Sequence, residues 1–140
     1  MDIWELNKIS YKIIGAAIEV HRTMGPGLNE RIYEECMLLE LAERGLLAES
    51  QVIVPVKYKQ HELEAKYVID LLIEKEIIVE LKAVSELHPV HSAQLLSYMN
   101  LTDKTLGLLI NFNVKILKQG VKRYLKGLPD NIAPFNPDSL

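Results

Sequence analysis

At 140 residues, 49% apolar and 25% charged, the chain has ordinary globular composition and room for one domain around a single sizeable core. A formal charge of −3 excludes attraction to nucleic acid by bulk charge alone. No stretch approaches the uninterrupted apolar length of a membrane span, and a single cysteine, Cys36, excludes an internal disulfide. The opening "MDIWELNKIS" carries acids and no long apolar run, so no secretory signal is expected and a cytoplasmic location is. The domain is expected over residues 1–128, followed by a polar, proline-containing tail at 129–140.

Helical spacing of Ile14, Ala17, Ile18 and His21 predicts a first helix from about Trp4 to Arg22, ended by "GPG" at Gly25 to Gly27. A second helix is predicted from about Asn29 to Arg44, with Ile32, Tyr33, Cys36, Leu39 and Leu41 inward and Gly45 as its stop. Cys36, between such neighbours, reads as a packed thiol, not a nucleophile. "QVIVPVKYK" is β-branched, and Pro55 within it marks an edge strand or a bulge. "KYVIDLLI" and "IIVELKAV" read as two strands joined by "EKE". "PVHSAQLLSYMNL" returns to helical spacing, with Val90, Leu95 and Met99 on its apolar face. "KTLGLLINF" is a buried-type strand, and "VKILKQGVKRYLK" a short turn and strand. The order α-α-β-β-β-α-β-β predicts an α/β fold, a mixed β-sheet flanked by helices.

The two central strands pose a problem. Each has a carboxylate inside an apolar run, Asp70 in the first and Glu80 in the second, with Lys82 two residues on. If Glu74, Lys75 and Glu76 form a three-residue hairpin loop, Asp70 lies directly opposite Glu80. One face then carries Ile69, Leu71, Ile73, Ile77, Val79, Leu81 and Ala83. The other carries Val68, Asp70, Leu72, Ile78, Glu80 and Lys82. Like charges opposite one another repel, and partial cover by Val68, Leu72 and Ile78 raises the cost of ionising both. A cation between them resolves the conflict, and Mg²⁺ is a hard ion held by one or two carboxylates, water and phosphate oxygens. A loop of even length would instead put the two acids on opposite faces.

Asp70 followed by "ELK", Glu80-Leu81-Lys82, resembles the signature of the PD-(D/E)XK nuclease superfamily. "GLNERIY", Gly27 to Tyr33, fits the pattern naming the GxxExxY proteins within it, and "IVELKAV" and "LGLLINF" are also similar to that group. The resemblance covers roughly residues 8 to 126. It implies a restriction-endonuclease-like core, Asp70, Glu80 and the Leu81 carbonyl as ligands of Mg²⁺ or Mn²⁺, and Lys82 beside the attacking water. It implies Glu30 as a further acid reaching the metal from the second helix. Gln94 and Tyr98 match a Gln-x3-Tyr element that contacts substrate or supports the lysine, and their spacing puts them on one helical face. Ile69 stands where the signature has proline, and Val68 where relatives carry a basic residue.

The expected activity is therefore metal-dependent phosphodiester hydrolysis, on DNA in preference to RNA, by a homodimer. The alternative is a non-catalytic module for nucleic acid or a partner that retains the fold. "HPVH" has no four-ligand zinc spacing. His88 reads as the helix start ahead of Pro89, and His91 either shares the face of Gln94 and Tyr98 and reaches substrate or does not. His21 reads as a satisfied, partly buried histidine. Tyr33 either braces Glu30 or packs in the core. Lys104, Lys115, Lys118, Lys122, Arg123 and Lys126 fall in a stretch without acids, which fits either a phosphate-contacting flank or a solvated face.

Overall fold

Glycine and proline punctuation cuts the chain where the periodicities end. A computed structural model describes residues 1–126; the expected tail at 129–140 lies outside the described residues. Helix α1 spans Ile3–Met24 and α2 Glu30–Glu43, followed by β1 (Ala48–Tyr58), β2 (His61–Ile73) and β3 (Ile77–Lys82). Helix α3 (Pro89–Thr102), β4 (Leu106–Asn111), a short 3₁₀ turn (Leu117–Gly120) and β5 (Val121–Leu125) complete it. The predicted order holds, although β2 begins at His61 rather than near Lys66.

The sheet has the order β1-β2-β3-β4-β5. β3 and β4 run parallel, with α3 as the crossover that parallel pairing demands, and the other pairs are antiparallel. It is the mixed sheet expected. Pro55 lies on an edge strand, and the β1–β2 register also shifts between Pro55 and Lys57, so both readings of that proline hold.

Helices cover both faces. α1 and α2 bury Ile13, Ile14, Ala17, Tyr33, Met37 and Leu41 against Leu71, Ile73, Val79, Leu81, Leu108 and Ile110. α3 buries Leu95, Tyr98 and Met99 against Val54, Ile69, Ile78 and Leu109 on the other face. Strand β4, covered twice, is apolar from Leu106 to Ile110 for that reason, and β3 is apolar apart from Glu80 and Lys82.

Three expected inward residues are not where periodicity put them. Leu39 is 71% exposed, because the buried stripe of α2 is Tyr33, Met37 and Leu41 at four-residue spacing, with Glu34 beside it. Val90 lies exposed in the first turn of α3. Ile69 packs beneath α3 and not with Leu71 beneath α1 and α2, so β2 changes face between them.

Candidate active site

The loop joining β2 to β3 has the odd length the register needed. Pairing runs Ile73↔Ile77, Leu72↔Ile78 and Leu71↔Val79, then stops one step before Asp70 and Glu80. Here β2 continues outward with β1, while β3 stays with β4. Side chains replace the ladder at the parting: the Asp70 N–H donates to Glu80 Oε1 at 3.3 Å, and the Leu81 N–H donates to Asp70 Oδ2 at 2.8 Å.

Glu80 is only 6% exposed. Burial first, then the Asp70 charge and a hydrogen bond shared with its carboxylate, push the Glu80 carboxyl up to about 9. The Asp70 N–H and the Lys82 ammonium pull the other way without offsetting this. Two adjacent acids that cannot both ionise cheaply form a site for a cation. The donors are all oxygen, which suits a hard divalent ion, and two carboxylates are what Mg²⁺ ordinarily takes from a protein. Among the described residues, no three His, Cys, Asp or Glu side chains gather into a metal cage, so water and substrate oxygens would complete the shell.

The other predicted residues surround this pair unevenly. Glu30 lines a cleft of about 240 Å³ with Arg31, Glu34, Gln51, Asp70 and Leu81. It gets there because Asn29 Oδ1 caps α2 by accepting from the Ile32 N–H, which fixes Glu30 as the first helical residue. Tyr33 does not brace Glu30. Its ring stacks on Phe112 at 4.4 Å, and its hydroxyl donates to the Gly25 carbonyl and accepts from the Leu28 N–H, tying down the loop ahead of the helix.

Tyr98 is buried edge-on against Tyr67, and burial, then the Glu80 charge, hold its hydroxyl above the usual phenol range. Gln94, one turn earlier, is exposed. His88 caps α3, and its N–H donates to His91 Nδ1 at 3.0 Å, which leaves the neutral ring's proton on Nε2. Burial, then the Lys82 ammonium, hold His91 below its ordinary value, so Lys82 and His91 share one neighbourhood. His21 Nε2 donates to the Val114 carbonyl at 2.7 Å, as expected of a satisfied histidine.

The basic stretch divides, with Lys122 within electrostatic reach of His91 and others elsewhere. Lys115 and Lys118 line a separate hollow with His21 and Arg22, Lys126 pairs with Asp103, and Arg123 is buried against Asn7. Sequence reasoning missed Arg31, Glu34, Gln51 and Asn111 at the site. Glu34, 5% exposed, lies one turn after Glu30, a spacing that could have identified it. Gln51 carries no motif. Asn111, beside Lys82 in the parallel pairing, grips Val84 through both side-chain atoms: Oδ1 accepts from its N–H and Nδ2 donates to its carbonyl.

No helix among the described residues is long and apolar enough to cross a membrane. No curated protein and no solved structure matches the chain. The family model of the PD-(D/E)XK nuclease superfamily does match, over residues 7–124, a span holding Glu30, Asp70, Glu80 and Lys82. The chain therefore belongs to that superfamily, most of whose members are metal-dependent nucleases.

Proposed function

We propose that the protein is a metal-dependent nuclease that hydrolyses phosphodiesters, DNA in preference to RNA, and that it falls in the GxxExxY group. The interlocked Asp70–Glu80 pair, with Lys82 two residues along the same strand, carries this reading. Asp70 and Glu80 would hold the Mg²⁺ or Mn²⁺ ion, with the Leu81 carbonyl as a further ligand and Glu30, which lines the same cleft, reaching it through a bound water. The bound ion supplies Lewis acidity toward the phosphoryl group and neutralises charge in the transition state. Lys82 orients the attacking water and stabilises the charge that develops as its proton leaves to solvent. The new P–O bond forms as the ester P–O bond breaks, and the leaving oxygen takes a proton from solvent. Tyr98, Gln94 and the His91 Nε2–H bind the phosphate and its neighbours.

Incubation with single-stranded, duplex and branched DNA and with RNA, in Mn²⁺, tests this. Lys82→Ala should lower cleavage by about a hundredfold or more. Cleavage equal in wild type and variant points to a contaminant. Binding without cleavage on every substrate favours the non-catalytic module. A homodimer is a separate proposal: sedimentation should give twice the chain mass, and a monomer in the presence of duplex would overturn it.

A further inference from the structure

Gln51 is a residue of β1 whose backbone is left-handed, φ 53°, although it is not glycine. Side chains other than glycine reach that region only under strain, and such strain collects at functional sites. The β1–β2 pairing shows what it accomplishes. Partners run from Ala48↔Ile73 to Ser50↔Leu71, then resume at Val52↔Ile69, so the interrupted step is Gln51 facing Asp70. On one side of this step Leu71 packs beneath α1 and α2; on the other, Ile69 packs beneath α3. Asp70 sits at the reversal.

The Gln51 side chain is tied as well. Its Nε2 donates to Glu34 Oε1 at 2.6 Å, and Glu34, buried on α2, has Arg31 at 3.8 Å from its other oxygen. Gln51, Glu34 and Asp70 line the same cleft. A tie from α2 to the strand position facing Asp70 fixes the angle between helix and strand at the step where β2 changes face. We infer that Gln51, anchored by Glu34, is a positioning residue for Asp70: it sets the direction of that carboxylate into the cleft and thereby the site's affinity for a divalent cation. This rests on the reading of Asp70 and Glu80 as the cation-binding pair.

The test compares thermal melting of the full chain in EDTA and across a Mn²⁺ titration, for wild type, Asp70→Ala, Gln51→Gly, Glu34→Ala and Glu34→Gln. Glycine accepts the left-handed backbone, so Gln51→Gly keeps the strand reversal and removes only the tie. It should melt near the wild type in EDTA, yet need roughly ten- to a hundredfold more Mn²⁺ for half-maximal stabilisation. Glu34→Ala should show the same weakened metal response. Glu34→Gln, which still offers an oxygen to the Gln51 amide, should recover most of it. A Mn²⁺ response equal in wild type and Gln51→Gly, but lost in Asp70→Ala, overturns this inference and leaves the cation site standing. No response in the wild type overturns both.

Discussion

Glu80 changes chemistry with its surroundings more than any other residue of the site. Its ordinary value is 4.5 and its folded value about 9, so between those limits the metal-free folded chain keeps a proton that the unfolded chain has released. The stability this contributes is fully present below the unfolded value and is lost as pH rises toward the folded one, by up to about 1.4 kcal/mol per pH unit. Melting in EDTA should therefore fall from about pH 5 to about pH 9, and Glu80→Gln should flatten the decline. Parallel curves for the two proteins would show that another group sets the slope. Asp70, Glu80 and Lys82 could be read from sequence because an odd loop length and a two-residue period fix their relation. Gln51 could not, since nothing in its identity announces a left-handed backbone.

At the scale of the element, the start of α2 shows a motif serving structure first. The Tyr33 hydroxyl holds the Gly25 carbonyl at 2.6 Å and the Leu28 N–H at 3.1 Å, and Gly27 takes φ 95° between them. Only then does Glu30 emerge at the cleft. Tyr33→Phe leaves both backbone groups without this partner, and urea denaturation should show a loss of about 1–2 kcal/mol. Asn111, the last residue of β4, serves the segment that follows Lys82 at the end of β3. Its Oδ1 accepts from Val84 and Asn113, and its Nδ2 donates to Val84 at 2.9 Å. Asn111→Ala should cost about 2–3 kcal/mol, with faster hydrogen exchange at the Val84 amide. Unchanged exchange there would remove the clamp from the account. Periodicity located both elements, but the side-chain hydrogen bonds that hold their ends, from Tyr33 back to Gly25 and Leu28 and from Asn111 across to Val84, follow no helical or strand period.

Across the whole molecule, α3 approaches the sheet through Gly107. A Cβ at this position would meet Met99 Sδ at 2.7 Å and Leu95 Cδ1 at 2.9 Å. Gly107→Val should lift α3 from β4 and cost about 1–3 kcal/mol, measured by denaturation. Because α3 also carries His91 and Tyr98, cleavage should fall further than the stability loss explains. Activity unchanged in a destabilised variant would mean that α3 does not position the site.

The sequence alone determined the element order and the buried character of β4, and it placed Asp70 and Glu80 side by side on the condition of an odd loop, which the Ile73↔Ile77 pairing then met. These depend on contacts between residues close in the chain, where period and turn length decide the outcome. Tertiary structure decided that β2 reverses its face at Asp70, that Glu34 lies in the cleft, and that the C-terminal lysines scatter over separate surfaces. The physical reason is that each depends on how strands part and helices lean across the sheet, and the energy that settles those choices comes from residues distant in sequence.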